Sequence, residues 1–463
     1  MKTLTDRITP DDKALYRKVF RVALPIAAQS LISTSLSLVD NLLVVNIGKG
    51  HIAETALSAI GLSTQIYIVF WMVLFGFTGG TITYMAQFFG KGDMANLRRV
   101  SGISITVCFL VGIAFFLACF LFPDKILSIF TNLPEVMQLG TPVVKYGSFV
   151  FLTWSITVPL TAALKSTQQT SIPMKISLVA LSFSTFLTLI LIYGFLGMPK
   201  LGVMGVAVGI VISRALELAL YIIVIFARKN VLAAPLREFF SWDRGLFLRV
   251  INNALPTTAN ETMWGLGMAM YNAAFGRVSD TVFAACQAGY TIMNIFAVAC
   301  FSIGETMLIL VGERLGADDL AGAKRAASKI LVIVAIVGLC AGGLLFLISP
   351  LIASLFPLTS LGTFYALRIL GVYSGFLVMK ALSGAFIVGV LRAGGDTRFA
   401  MITEICTVWL YGVPCAFIFS LYVPLPIHFV ILILQFEEVI KFLILLRRYK
   451  SGKWVRDLVK DID

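Results

Sequence analysis

The chain has 463 residues; 59% are hydrophobic, 13% are charged, and the formal net charge is +13. A soluble domain is roughly 45–50% apolar and about 25% charged, because it must cover itself with some polar surface. The composition therefore excludes a soluble enzyme, a disordered tail and a collagen-like chain, and it makes lipid the solvent.

A membrane span needs about 20 mostly apolar residues, whereas barrel strands are short and strictly alternating. Here the apolar runs are long and continuous, so the spans are helices. Residues 1–18 are charged, and the apolar run after them is too long for the core of a cleavable leader. In chain order the expected spans are 19–47, 54–87, 100–122, 140–164, 173–196, 202–227, 248–276, 281–312, 326–356, 364–391, 400–422 and 426–447. The expected fold is an all-α membrane protein of twelve transmembrane helices in two pseudo-symmetric six-helix lobes. The lobes are 1–227 and 248–448, joined by an amphipathic linker, 228–247, and followed by a cytoplasmic tail, 449–463. Lys and Arg gather in both tails, in the linker and in alternate loops. Such a bias marks the cytoplasmic side, so both termini are expected there, in the cell (plasma or inner) membrane. On this reading the positive charge needs no nucleic-acid partner.

The halves resemble each other. Pro25 and Pro256 open them, and fifteen residues later come Asp40-Asn41 and Tyr271-Asn272. AQFFGKGD (86–93) matches VGERLGADD (311–319), and LKSTQQTSIPM (164–174) matches LRAGGDTRFAM (391–401). Internal repeats of this kind are a transporter signature and put the substrate path between the halves.

An ionisable group inside a bilayer costs about 2.5–3.5 kcal/mol or more, so each one needs a reason. Gln29, Ser33, Ser37 and Asp40/Asn41 form one polar stripe on the first span. Asn253, Thr257, Asn260, Glu261, Trp264, Met268, Tyr271 and Asn272 form another on the seventh. With Gln287 and Asn294 of the eighth span, these stripes suit a cavity for flat organic cations, through charge and cation–π contact. Asp40 and Glu261 are the expected proton- or cation-coupling acids. Lys380 and Glu305 are a relay or charge partners, Lys380 for an acid such as Glu261. Arg214/Glu217 and Glu437/Glu438/Lys441 read as ion pairs along their own helices, and Glu404 as an acid that reaches water. The seven cysteines read as small core residues. The two histidines are far apart, so no metal site is expected. Enzyme motifs are absent, so the chain reads as a non-enzyme driven by an ion gradient.

Taken together, ALPIAAQSLISTSLSLVDNLLVV, GFTGGTITYMAQFFGKGDMANLRRV, NALPTTANETMWGLGMAMYNAAFGRV, VGERLGADD and LRAGGDTRFA resemble the multidrug and toxic compound extrusion (MATE) family. Asp40 and the closing QFEEVIKFLILLRRYKSGKW look like its DinF-like branch. The resemblance implies export of lipophilic, often cationic compounds by alternating access, in exchange for H+ or Na+. No other cofactor is implied. The partners are small organic substrates and the bilayer, and the protein is a monomer. Asp40 matches the family's first-helix aspartate. Glu261 falls near the seventh-helix glutamate, but closer to the proline than is usual. The tenth span carries Lys380 where sodium-coupled branches carry an aspartate. Ser184, Thr188 and Ile210 stand where other members place cation ligands. These departures favour H+ over Na+. The alternative reading is a lipid-linked oligosaccharide or lipid flippase of the same superfamily, which would want a large basic cavity.

Overall fold

The computed structural model describes residues 10–45, 51–353, 359–423 and 425–462, and of these all side chains but 10–11, 35–45, 51–54 and 57. No strand occurs among the described residues. Among the described residues, twelve long helical stretches carry the chain. They are α1 (Pro10–Val45), α2 (His51–Lys91), α3 (Met94–Leu121), α4 (Pro134–Gly147 and Phe149–Ser166) and α5 (Ser171–Tyr193). Next come α6 (Val203–Ala227), α7 (Arg244–Gly276), α8 (Asp280–Gly316) and α9 (Leu320–Ala353). The last three are α10 (Ser360–Leu391), α11 (Thr397–Tyr422) and α12 (Ile427–Lys450). Among the described residues, nine helices are long and apolar enough to cross a membrane. Of the others, α1 is described in its side chains only in part, α7 holds a polar stripe and α12 the charged EEVIK run, and lipid tolerates such residues only where protein or water faces them.

The chain forms two compact units. One comprises Met1–Ala27, Ile82–Asp93 and Arg249–Asp463, and the other Ala28–Thr81 and Met94–Leu248. The second unit contains the linker. Before α7 begins at Arg244, the linker's regular helix is short, Leu236–Phe240, where an interfacial helix was expected. A Cβ added at Gly102 of α3 would lie 1.7 Å from the Phe239 carbonyl oxygen, so glycine lets this turn lie directly on α3. Arg98 fastens it, with Nε donating to the Val231 carbonyl at 2.8 Å and Nη1 to Glu238 at 2.6 Å. Asp243 precedes α7 and accepts from the Gly245 N–H at 2.8 Å. That bond, with a second from Leu246, holds its carboxyl below the usual carboxylate range.

The repeats are visible in the backbone. α2 ends with the Asp93 N–H on the Phe88 carbonyl and Gly92 at φ +80°. α8 ends with the Asp319 N–H on the Arg314 carbonyl and Asp318 at φ +58°. The same cap recurs after α4, with Gln168 left-handed, and after α10, with Gly395. Each pair aligns residue for residue in the sequence repeat. The cap recovers carbonyls that a helix end would leave unbonded, and it is kept even where a non-glycine residue must take the strained conformation.

Within the first unit the two copies of the GKGD/GADD motif meet. A Cβ on Gly90 would lie 1.8 Å from the Glu313 carbonyl oxygen, and one on Gly316 would lie 1.8 Å from that of Gln87. Gln87 aligns with Glu313 and Gly90 with Gly316, so the contact is reciprocal. Lys18 of α1 adds an ion pair to Glu313 at 2.8 Å. The tail after α12 folds back over this junction. Trp454 is 1% exposed. Gln87 donates to the Ala393 carbonyl and accepts from the Leu458 N–H. Lys91 donates to the Val459 and Ile462 carbonyls. Replacing Gly90 or Gly316 by valine should force α2 and α8 apart and cost about 1–3 kcal/mol or more. Thermal unfolding in detergent, with Gly371→Ala as a control where a Cβ meets open space, measures it.

Candidate functional site

The first unit contains a cavity between α7, α8, α10, α11 and α12. Trp264, Met268, Tyr271, Asn272, Tyr290 and Tyr373 line it, together with Lys380, Glu437 and Glu438. Its volume is about 60 Å³. Sequence periodicity explains the wall: Trp264, Met268 and Tyr271 recur at intervals of three or four along α7, which puts them on one helix face.

A charged network closes the cavity. Lys441 of α12 is 2% exposed. Its Nζ lies 3.0 Å from Glu437 Oε1, 3.6 Å from Glu438 Oε1 and 3.5 Å from Glu404 Oε1. A second helix holds each carboxylate. The Tyr271 hydroxyl donates to Glu437 Oε2. Lys380 Nζ stands 3.6 Å from Glu438 Oε1. Asn260 Nδ2 donates to Glu404 Oε2 at 2.7 Å. Gly412 lies where α11 widens to π geometry, Thr407–Gly412. A Cβ there would sit 1.8 Å from the Tyr271 hydroxyl and 2.6 Å from Glu437 Oε2. Wide turns of this type often mark functional sites, and here the turn admits a tyrosine–carboxylate contact.

The structure redistributes the sequence-level candidates. Glu261 is paired with Arg392 at the end of α10, a side chain 1% exposed. Lys380 pairs with Glu438. Trp264, Met268, Tyr271 and Asn272 line the cavity. Asn260 and Thr257 are buried but do not line it; the Thr257 hydroxyl donates to the Ala254 carbonyl at 2.8 Å. Gln287, Asn294 and Glu305 of α8 are half-buried and are not among the residues lining the cavity. Glu404 is drawn into the network through Lys441 and Asn260. Glu437, Glu438 and Lys441 do pair along α12, but the pairing extends to three other helices. Cys340 and Cys406 are exposed rather than core residues.

In the second unit Gln29 of α1 donates to Ser177 of α5 at 2.9 Å. Ser177 reaches the buried Glu217 of α6 at 3.5 Å. Arg214 pairs with Glu217 at 2.7 Å and lies over the Trp154 ring at 4.8 Å. The Ser33 hydroxyl donates back to the Gln29 carbonyl at 2.9 Å. The side chains of Ser37, Asp40 and Asn41 lie outside the described residues. No group of three or more His, Cys, Asp or Glu side chains among the described residues is arranged to hold a metal ion.

Comparison with known proteins agrees with this architecture. The MatE family pattern matches residues 25–190 and 258–418, one stretch in each half of the chain. A probable multidrug resistance protein NorM of Thermotoga maritima is 22% identical over 457 residues, covering 96% of this chain and 94% of its own. Another of that name, from Rhizobium meliloti, is 24% identical over 88% of this chain and 86% of its own. A multidrug resistance MATE family transporter of the MOP superfamily, solved in an outward-facing conformation, superimposes with TM-score 0.85 at 17% identity. The match covers 95% of this chain and 97% of that one. A MOP superfamily transporter from Pyrococcus furiosus, described as having a binding pocket of reverse polarity, gives TM-score 0.84 at 17% identity over the same shares. At such identities the structural likeness speaks for the fold.

The Glu261–Arg392 pair is a structural test. Arg392→Ala leaves a buried carboxylate without its cation and should cost about 3–5 kcal/mol. Adding Glu261→Gln should return much of that loss. Denaturation of the two single variants and the double variant in detergent measures the coupling.

Proposed function

The chain belongs to the MatE family, a family of multidrug efflux transporters, and we propose that it exports lipophilic organic cations in exchange for protons. One observation carries the reading. The cavity of the first unit combines tyrosine, tryptophan and methionine surface with more carboxylates than lysines. Aromatic faces attract a delocalised cation, and a carboxylate excess attracts its charge. An oligosaccharide pyrophosphate would need the opposite polarity, which disfavours the flippase alternative.

In the proposed cycle, ionised acids facing the cytoplasm draw in the cation from cytosol or inner leaflet. Facing outward, a proton from the medium neutralises an acid and the cation leaves. Asp40 is the proposed coupling acid of the N-terminal half. Glu261 is charge-balanced by Arg392, and in this scheme it fixes the end of α10 against α7. The termini are cytoplasmic, the membrane is the cell or inner membrane, and a monomer is sufficient. One pH unit supplies about 1.4 kcal/mol. Exchange of one proton for one monovalent cation cancels the voltage, leaving roughly tenfold accumulation per pH unit.

In proteoliposomes a pH gradient alone should drive a fluorescent lipophilic cation, and an equal sodium gradient should not. Asp40→Asn should abolish the movement while leaving the protein monodisperse. Transport that needs sodium, or full activity in Asp40→Asn, would refute the proton scheme.

A further inference from the structure

Three carboxylates, Glu404, Glu437 and Glu438, share two lysines, Lys380 and Lys441. Fully ionised, the group holds one negative charge in excess, and a buried excess charge is expensive. The geometry says where the excess falls. Glu437 has a donor on each oxygen, Lys441 at 3.0 Å on Oε1 and the Tyr271 hydroxyl on Oε2. Glu438 has both lysines at 3.6 Å. Glu404 has Lys441 at 3.5 Å, and its closest donor is the neutral amide of Asn260. It is the acid left without a lysine of its own.

A second observation is independent of that count. Asn260 is 2% exposed, and its Oδ1 is a buried acceptor with no hydrogen-bond partner. A buried acceptor without a donor is costly, and the carboxyl that already takes the Asn260 N–H is beside it. A proton on Glu404 supplies the missing donor. Acid and amide would then bond reciprocally, O–H to Oδ1 and Nδ2–H to the carboxyl.

We propose that Glu404, held between Asn260 and Lys441, is a proton-binding site that empties when one organic cation enters the cavity beside Glu437 and Glu438. This rests on the exchange reading above and names its proton carrier in the C-terminal half. The charged and titratable groups around it are Lys441, Glu437 and Glu438 of α12, Lys380 of α10 and Tyr271 of α7. Tyr411 and Cys415 of its own helix lie near Tyr271 and Glu437. The excess charge of this set is filled either by the proton on Glu404 or by the cation, so the two exclude each other. On ionisation the carboxyl, whose side chain is 12% exposed, gives its proton to solvent, and no other bond changes.

The test is an infrared pH titration of the purified full chain in detergent. A protonated, hydrogen-bonded carboxyl gives a carbonyl band that ionisation removes. Glu404→Gln should delete that band at every pH, whereas Glu437→Gln and Glu438→Gln, which remove the excess charge, should keep it at low pH and move its loss to lower pH. Asn260→Ser should keep the band and shift its frequency, which covers the case in which Glu404→Gln fails to fold. The second readout is the affinity for tetraphenylphosphonium. It should strengthen roughly tenfold per pH unit through the titration of the native chain, and be weak and independent of pH in Glu404→Gln. A band that survives Glu404→Gln, or one unmoved by Asn260→Ser, overturns the assignment. If tetraphenylphosphonium does not bind the native chain, the export reading fails, while the infrared bands still decide where the proton sits.

Discussion

A hydrocarbon interior does not solvate charge, and this constraint organises the molecule. The charged side chains that the helices draw inward meet an opposite charge or an amide. Glu261 has Arg392, Glu217 has Arg214, and Asp396 has Arg448 at 2.6 Å. These are pairs in balance. The Glu404–Glu437–Glu438 group is not balanced by its lysines, and through Glu437 and Glu438 it borders a cavity lined by aromatic rings. A fixed charge deficit next to a cation-binding surface is the physical basis of an exchanger: two positively charged species can fill the deficit, one at a time.

Helix contacts in both units depend on close approach. At Gly412, at Gly102 and at the reciprocal Gly90/Gly316 contact, a single methyl group would overlap neighbouring backbone or hydroxyl oxygen. Transmembrane helices gain little from burying apolar surface against apolar lipid, so contacts through small residues carry much of their association. The tail after α12 adds hydrogen bonds to the ends of α2 and α10. One end of the first unit is thereby fastened, while the cavity lies deeper along the same helices.

Much of this was legible in the sequence. Apolar runs gave the helices, and the matched motifs marked what the backbone repeats as identical caps. The stripe on α7 named Trp264, Met268 and Tyr271 because helical periodicity puts them on one face. Which charge meets which was not legible. Glu261 and Arg392 are far apart in sequence, as are Glu404 and Lys441, and a stripe on one helix says nothing about the helix opposite. Glu404 was read as reaching water because it lies near a span end; its side chain keeps some exposure, but nothing in its own helix showed that Asn260 and Lys441 meet it. The i,i+4 spacing of Glu437 and Lys441 gave that pair correctly but concealed that the lysine serves three acids. Gly412 could have been flagged only by asking why an apolar span needs a residue without a side chain at that depth.

The central claim is that a proton and an organic cation compete for one deficit of charge. The most direct measurement is the number of protons released when tetraphenylphosphonium binds the purified native chain. Calorimetric titration in two buffers of different ionisation enthalpy gives this number. The account predicts proton release on binding that fades at high pH, once the acids are already ionised. Binding with no proton released at any pH would contradict it.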